Sequence, residues 1–322
     1  MQIPTSLQMA IDQVTQSLGL RQLMEAREEL TKRYREPRAG SQLITTDAQR
    51  QAYVISRLPA TYAAIQATLS AIQERAHLAI KSVLDLGAGP GTGMWAMCEN
   101  FSEVEKVTLF EKDLALLTIG KQLAQFSEQI AIRLADWQEV DLEKLSDLPA
   151  HDCILLSYSI GELNPQKIEP FIDLCWKSAK QLLLIVEPGT PAGFERIRLI
   201  RRQLIDRGAH LIAPCPHHLA CPMEGGDWCH FAARIERSSR HRQLKGGSLG
   251  YEDEKFSYVA ATKIPFPLPA SRILRQPLRH SGHIVLKLCT PEGVQYPTVS
   301  KKMGALYKQA RKAEWGDTFP PN

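Results

Sequence analysis

The chain has 322 residues, of which 44% are hydrophobic and 23% charged, an ordinary composition for a globular protein. It contains no run of about 18 uncharged apolar residues, so we expect no membrane span. The N-terminal residues match neither a secretory signal nor a transit peptide, which predicts a cytoplasmic protein. In that reducing compartment, the seven cysteines are expected to be thiols or metal ligands rather than disulfides.

Charge is distributed unevenly along the sequence. Residues 1–190 carry a net charge of −6 and residues 191–322 a net charge of +10. A basic half favours a polyanionic partner such as RNA, although a solvated basic surface would have the same composition. The arginines that could contact RNA lie in three segments, ERIRLIRRQLIDR, RIERSSRHR and SRILRQPLRH.

The predicted elements divide the chain into four segments. Residues 1–79 have apolar residues at helical spacing, interrupted by a polar, basic stretch at 31–42 that is typical of a loop. In residues 80–210, β-rich runs alternate with helical stretches, which predicts an α/β domain with a parallel sheet. Residues 211–290 are rich in Cys, His, Pro and Gly, and they include two further predicted strands, FSYVAATK and HIVLKLC. The basic tail, 291–322, is expected to end in a short helix.

A glycine-rich turn follows the first predicted strand, in the sequence VLDLGAGPGTG. Its glycines, Gly87, Gly89 and Gly91, permit positive φ and let a ligand approach the backbone. The turn opens a helix whose amides would face that ligand. Asp85 precedes the turn, and the second strand ends in Glu111. This acid lies 20 residues beyond Gly91, the spacing at which a carboxylate can accept both hydroxyls of a ribose.

Two further strands complete the predicted cofactor site. The third, IAIRLA, leads into Asp136 and Trp137, an acid and an aromatic that could hold an adenine, and the fourth carries Ser157 beside the pocket. The D-L-G-x-G-x-G form favours S-adenosylmethionine over a dinucleotide, whose turn is normally G-x-G-x-x-G. The sequence therefore predicts an α/β fold, the class I S-adenosylmethionine methyltransferase (Rossmann-like) fold with an N-terminal helical extension. A relic pocket that binds nothing is the alternative.

Three cysteines, Cys215, Cys221 and Cys229, fall within 15 residues of a Pro- and Gly-rich segment. Such a set predicts a Cys-rich metal-binding insertion, and Cys289 is the best remaining candidate for a fourth ligand. The wide spacing favours an iron–sulfur cubane, because zinc ligands usually occur as C-x₂₋₄-C pairs. Zinc held by three cysteines and a nearby histidine remains the alternative.

Several segments of the chain resemble one family closely. These segments are AY at 52–53, RLPATY at 57–62, EPGTP at 187–191, APCPH at 213–217, CP at 221–222, DWCHF at 227–231, YEDEKFSY at 251–258, ARK at 310–312 and WGD at 315–317. The chain is similar in them to the mitochondrial-type small-ribosomal-subunit methyltransferase-like family, that of methyltransferase-like protein seventeen and its bacterial relatives. The resemblance implies binding to small-subunit rRNA during ribosome assembly. It also implies a [4Fe-4S] cluster held by Cys215, Cys221, Cys229 and Cys289. We expect a monomer off the ribosome.

The end of the fourth predicted strand lacks a recognisable catalytic motif. Methyltransferases that act on amino nitrogens commonly have [D/N/S]-P-P-[Y/F] there, whereas this chain has SYSIGE at 157–162. Carbon-5 methylation of cytosine requires a nucleophilic cysteine, and the nearest one, Cys153, is predicted to be buried. We therefore predict an RNA-binding assembly factor that retains the cofactor fold. An active rRNA base methyltransferase and a small-molecule methyltransferase are the alternatives.

Overall fold

The chain is described by a computed structural model over residues 1–35 and 44–320. Its residues form two compact units, each discontinuous in sequence. The first unit comprises Met1–Leu69, Ala79–Lys180 and Ala233–Glu254, and the second Ser70–Leu78, Gln181–Ala232 and Lys255–Asn322. None of the helices in the described ranges combines the length and apolar character that crossing a bilayer requires.

Four helices precede the first strand, as the apolar spacing predicted. They are α1 (Thr5–Val14), α2 (Leu20–Arg35), α3 (Asp47–Ser56) and α4 (Leu58–Gln73). Thr46 begins α3 with a reciprocal capping box, in which its hydroxyl accepts from the Gln49 amide and the Gln49 side chain accepts from the Thr46 amide. Helix α2 extends into the stretch predicted to be a loop, 31–42, and the part of that stretch from residue 36 lies outside the described residues.

Four parallel strands form the sheet of the first unit. They are β1 (Ser82–Leu86), β2 (Lys106–Glu111), β3 (Asp136–Glu139) and β4 (His151–Ser157), in the order β3–β2–β1–β4. The helices after these strands are α5 (Thr92–Asn100), α6 (Leu114–Ala124), α7 (Ile130–Arg133) and α8 (Pro165–Ser178). The strand order reverses at β1, and ligands of such folds bind at the carboxyl ends of the strands beside that point. This confirms the predicted α/β, Rossmann-like fold.

The third predicted strand was misplaced. The run IAIRLA contains helix α7, and the strand begins only at Asp136. The alternation of Ile130, Ile132 and Leu134 does not mark a buried strand face, because Ile130 is 63% exposed and Leu134 is 77% exposed. Only Ile132 is buried, which suits a short amphipathic helical turn better than a central strand.

The longest strands of the second unit pair in antiparallel fashion. They are β5 (Ala179–Pro188), β6 (His210–Ala213) and β8 (Tyr251–Thr262), in the order β5–β8–β6. Helix α9 (Pro191–Asp206) follows β5, and Thr190 caps its first turn. Strand β8 confirms the predicted strand FSYVAATK. The hairpin partner of β8 is β7 (Phe231–Glu236), and helix α10 (Ser239–Lys245) lies in the connection.

Two small antiparallel sheets contain the last strands. One consists of β10 (Leu278–Arg279), β11 (His283–Val285) and β14 (Thr298–Ser300), and the other of β9 (Arg272–Ile273), β12 (Leu288–Thr290) and β13 (Gly293–Gln295). The run HIVLKLC is therefore not one strand, because it is divided between β11 and β12 of different sheets. Helix α11 (Ala305–Lys312) confirms the predicted helix in the tail.

The two compact units do not follow the four segments expected from the sequence. The predicted Cys-rich segment, 211–290, is divided, since its residues 233–254 belong to the first unit. The reason is helix α10, which packs against α2 and α3 of that unit. A charged surface helix gives no sequence signal of its distant packing partner.

Candidate functional site

The glycine turn after β1 has an open face. Gly87, Gly89 and Gly91 all have positive φ, at 72°, 54° and 83°. A Cβ at Gly87 would lie 2.5 Å from the Ser159 Cβ, and one at Gly91 would lie 2.6 Å from the Trp137 ring. A Cβ at Gly89 would meet no atom within 4 Å, so this residue faces open space. The turn thus has two closely packed glycines around one that a ligand can approach.

Glu111 lies directly beside this turn. One carboxylate oxygen accepts from the Gly89 amide at 2.8 Å, and the other accepts from the Asp113 amide at 2.8 Å. Burial raises the pKa of Glu111, and these two amides oppose the rise. Each oxygen retains a second lone pair that a ribose hydroxyl could use. The structure therefore brings Glu111 and Gly89 together, and their role in binding a cofactor stays a prediction.

Asp85, the acid before the turn, is fully buried. Neither of its carboxylate oxygens makes a hydrogen bond of normal geometry to the described residues, although the Met94 amide is close enough to lower the pKa slightly. Burial dominates and raises the pKa of Asp85 to about 7. A proton or a cationic ligand group would satisfy these oxygens, and S-adenosylmethionine carries two positive groups, so the residue present suits that cofactor.

Asp85 should make the stability of the chain depend on pH. Its folded-state pKa lies above the ordinary 3.8, so its contribution is present below about pH 4 and is lost as the pH rises through about 7. The free energy of unfolding of the wild type should therefore fall by up to about 4 kcal/mol as the pH rises, and Asp85→Asn should abolish this fall. Urea unfolding of both proteins between pH 5 and 8 measures it, with the exposed Asp136→Asn as control. Equal pH slopes for wild type and Asp85→Asn would contradict the assignment.

The predicted acid of the third strand lies at the wrong end of that strand. Asp136 opens β3 and is exposed, and its register partner on β2 is Thr108. The ligand edge of the sheet is at the opposite end, where Glu139 pairs with Glu111. The acid that follows β3 at this edge is Asp141, which accepts a hydrogen bond from the Glu143 amide at 3.1 Å. The sequence pattern indicated Asp136 in place of Asp141, because the predicted strand begins six residues before β3.

Trp137 nevertheless lies near the turn. A Cβ at Gly91 or Gly120 would lie 2.6 Å or 2.3 Å from its indole, so the ring packs against both glycines. Ser157 ends β4 and is partly buried. Contact of either residue with an adenine or another part of a cofactor stays a prediction.

Tyr158, next in sequence to Ser157, has a strained backbone. Its φ of 58° is the one positive value among the non-glycine residues that the structure describes. Its hydroxyl donates to Glu254 at 2.9 Å, and Arg57 donates to both oxygens of the same carboxylate, at 2.9 and 3.1 Å. Arg57 and Glu254 lie in the segments RLPATY and YEDEKFSY. Both segments are among those that resemble the family, and this was the sequence signal that could have pointed to the cluster.

Cys153 is unavailable as a nucleophile, as predicted. Its side chain is 0% exposed, and its register partner is Val83 of β1. Burial raises the pKa of the thiol, so the reactive thiolate is disfavoured.

Four of the seven cysteines line one cavity in the second unit. Cys215 follows β6, Cys221 lies in the loop after it, Cys229 precedes β7, and Cys289 lies in β12. The cavity encloses about 500 Å³, including its opening. Its other walls are mainly apolar and are formed by Phe194, Pro214, Pro222, Met223, Phe231 and Leu274. The fold thus brings the distant Cys289 to the three cysteines of the loop.

The sulfurs border a common space without converging on one ion. Among the described residues, no group of three or more His, Cys, Asp or Glu side chains is arranged to hold a single metal ion. The predicted metal-binding insertion is therefore not established by the structure. Burial raises the pKa of Cys221 and Cys229, and raises that of Cys289 to about 12. Thiols in this environment lose their protons only to a strong positive partner such as a metal.

Aromatic contacts stabilise the loop that carries Cys215, Cys221 and Cys229, hereafter the cysteine loop. The Trp228 indole donates to the Gly189 carbonyl at 2.9 Å, and its ring stacks on His230 at 5.0 Å. The Trp315 indole in turn donates to the His230 carbonyl at 2.9 Å. Gly189 has little room, since a Cβ there would lie 2.6 Å from the backbone of Phe256. The segments EPGTP, DWCHF and WGD therefore form one network around Cys229.

At least six of the twelve arginines in the three predicted RNA-binding segments form ion pairs with acids of the described residues. The pairs are Arg196 with Glu187, Arg198 with Glu195, Arg202 with Asp206, Arg234 with Asp253, Arg237 with Glu252 and Arg275 with Asp227. A second group of cations is exposed and forms no ion pair within the described ranges. It consists of Lys301, Lys302, Lys308, Arg311 and Lys312, on and before α11.

A family model described as "Mitochondrial small ribosomal subunit Rsm22" matches residues 47–320, well over half of the chain. The chain belongs to the Rsm22 family. This confirms the resemblance found in the sequence, whose segments all lie between residues 52 and 317.

Curated Rsm22 relatives are longer than this chain. Rsm22-cox11 tandem protein 1, mitochondrial, of Schizosaccharomyces pombe is 26% identical, over 85% of this chain and 43% of the relative. The human "Ribosome assembly protein METTL17, mitochondrial" is 24% identical, over 87% of this chain and 64% of the relative. Among solved structures, the magnesium protoporphyrin IX methyltransferase of Synechocystis with bound S-adenosylmethionine is 14% identical, over 77% of this chain and 99% of that protein, with a TM-score of 0.40.

The predicted bacterial-type cytoplasmic location is wrong. The Rsm22 relatives from fission yeast and human are mitochondrial proteins. The prediction depended on the lack of a transit-peptide pattern at the N-terminus, and that lack carries no information on location.

Proposed function

We propose that this chain is a mitochondrial assembly factor of the small ribosomal subunit that binds small-subunit rRNA, S-adenosylmethionine and an iron–sulfur cluster, and is a monomer off the ribosome. The observation that carries the proposal is the match of residues 47–320 to the Rsm22 family. The human relative is named as a ribosome assembly protein, which supports the assembly role.

The first unit supports S-adenosylmethionine as the ligand. The open face of Gly89, the carboxylate of Glu111 beside it and the orphaned oxygens of Asp85 lie around the carboxyl end of β1. These are a backbone that a ligand can approach, an acceptor for ribose hydroxyls and an anion for a cationic group. Asp141 at the end of β3 is a further candidate ligand residue. When bound, the cofactor would supply a methyl group at its sulfonium.

The sequence spacing of the cysteines favours an iron–sulfur cluster over zinc. Five and seven residues separate Cys215, Cys221 and Cys229, whereas zinc ligands usually occur as C-x₂₋₄-C pairs. All four cysteines line one cavity, which supports a shared centre. Cys215, Cys221, Cys229 and Cys289 are the proposed ligands, and the cluster would supply cross-linking of the loop to β12.

The exposed cations on and before α11 are the best candidates for contacts with rRNA. Lys308, Arg311 and Lys312 lie on one short helix with no acid paired to them in the described part of the chain. The arginines paired with acids elsewhere contribute less, because their charge is already neutralised locally.

The cations of α11 should therefore contribute to the salt dependence of rRNA binding. We expect the wild-type association constant to fall steeply with salt, since each Lys or Arg contact releases counterions from phosphates. Replacing Lys308, Arg311 and Lys312 by Gln should reduce the slope of log K against log salt by about 2–3. Filter binding or fluorescence anisotropy with small-subunit rRNA measures it.

The matched control neutralises three exposed cations of the first unit, Lys106, Lys121 and Lys177. It should leave the slope nearly unchanged. A salt-independent affinity of the wild type would refute RNA binding, whereas an equal loss in both triple variants would refute the role of α11 alone.

Methyl transfer to an rRNA base is a second candidate function, favoured by Tyr158. A strained residue at the carboxyl end of β4, held by Glu254 and Arg57, is typical of a functional site. Incubation of small-subunit rRNA with methyl-labelled cofactor tests it. Labelling by wild type that is lost in Tyr158→Phe would support transfer, and absence of labelling would refute it.

A further inference from the structure

Two arginines of the second unit are buried without a counter-charge. Arg201 is 4% exposed and Arg272 is 2% exposed, and neither forms an ion pair with a carboxylate of the described residues. Apart from sulfur, their hydrogen-bond acceptors are backbone carbonyls, those of His217 and Leu219 for Arg201 and those of Pro214 and Gly316 for Arg272. One terminal nitrogen of Arg272 is buried and has no hydrogen-bond partner among the described residues.

Two buried guanidinium groups destabilise the folded chain unless an opposite charge lies near them. A guanidinium cannot lose its proton at any ordinary pH, so burial does not neutralise it as it would a lysine or a carboxyl. An isolated buried charge is strongly destabilising unless an opposite charge compensates it. Carbonyl dipoles satisfy the N–H groups but do not cancel the net charge of two guanidinium groups.

Both arginines face the cysteines. Arg201 lines the cavity and donates from Nε to the Cys215 sulfur at 3.1 Å. Arg272 is the register partner of Cys289 in the sheet formed by β9 and β12, and it holds the carbonyl next to Cys215. The field of both guanidinium groups lowers the pKa of Cys289, against the larger effect of burial.

We infer that Arg201 and Arg272 are the built-in counter-charges of an anionic metal–tetrathiolate centre formed by the four cysteines. The inference rests on the metal centre of the proposed function. Four thiolates around a doubly charged core leave a net charge of about −2, which two buried guanidinium groups balance. A centre with three thiolates and a neutral histidine would leave about −1 around zinc, so the two arginines also favour Cys289 as a true ligand.

The test compares Arg201→Gln, which removes the charge and keeps a donor, with Arg201→Lys, which keeps the charge. Arg202→Gln is the matched control, since Arg202 is the next residue of α9 and its side chain is 83% exposed. Full-length chain is purified without oxygen, and its iron and sulfide content, the rate of iron loss to a chelator and the midpoint potential are measured. We expect Arg201→Gln to bind the metal about tenfold more weakly. Its potential should shift to more negative values, because a positive charge beside the centre favours the reduced form. Arg201→Lys should retain the metal affinity in large part, and Arg202→Gln should equal wild type.

A second readout separates the counter-charge from a merely structural arginine. Thermal unfolding is measured for wild type and Arg201→Gln, each with the metal and after its removal. A counter-charge predicts a larger loss of Tm in the loaded chain than in the metal-free chain, whereas a packing role predicts equal losses. Wild-type iron content and potential in Arg201→Gln, or equal losses of Tm, would overturn this inference alone. A wild-type chain that never holds metal would overturn the proposed centre as well.

Discussion

Cys221→Ser is expected to remove the iron from the chain and to loosen the second unit. The cysteine loop is rich in Pro and Gly and has few apolar residues of its own, while ordering its backbone costs roughly 1–2 kcal/mol per residue. Ligation by thiolates can offset that cost, and a serine hydroxyl is a poor replacement because it does not ionise near neutral pH. Loss of the centre should destabilise the second unit by several kcal/mol, on the order of a lost structural metal.

The measurements are iron and sulfide analysis of anaerobically purified protein, limited proteolysis and rRNA affinity. Wild type should be brown with four sulfur ligands per centre, and the variant should be colourless, cleaved within residues 211–290 and weaker in rRNA binding. Cofactor binding at the glycine turn should be largely kept. Cys98→Ser is the control, because this thiol lies on α5 of the first unit. A colourless wild type with one zinc would refute the cluster but keep the structural role. A metal-free wild type with unchanged Tm and rRNA affinity in the variant would refute both.

Gly89→Arg is expected to abolish binding of S-adenosylmethionine while leaving the fold intact. The residue faces open space, so a side chain there enters the volume that a ligand would occupy without striking the protein. Its φ of 54° is unfavourable for arginine and should cost only about 1–2 kcal/mol of stability. We therefore expect affinity to fall at least about 100-fold by calorimetry, with a small change in Tm.

Gly208 offers a matched control for that substitution. Its φ is 77°, and a Cβ there also meets no atom within 4 Å, but it lies in the turn between α9 and β6. Gly208→Arg carries the same backbone strain and should bind the cofactor as wild type does. The idea of a cofactor site fails if wild-type protein shows no heat of binding, or if the two variants lose affinity equally.

Local patterns in the sequence were enough to predict the first unit's architecture. The run VLDLGAGPGTG encodes a strand, a turn with left-handed glycines and a helix start within 11 residues, so no distant contact is needed to specify it. The alternation of β-rich and helical stretches likewise predicted parallel strands. The exception was the third strand, where one buried isoleucine in a helical turn was taken as a strand face. That error moved the candidate acid from Asp141 to Asp136.

The sequence by itself determined the family and the fold class, because each is carried by short segments whose residues are close together in the chain. Only the tertiary structure decided which arginines are paired within the chain and which are exposed to solvent. Whether an arginine contacts RNA, an acid or a sulfur depends on what lies opposite it, as the pairing of Arg196 with Glu187 and the burial of Arg201 beside Cys215 demonstrate. The meeting of Cys289 with the cysteine loop and of Tyr158 with Glu254 likewise depends on chain packing. Contacts between residues far apart in sequence follow from packing and electrostatics in three dimensions, which no local pattern encodes.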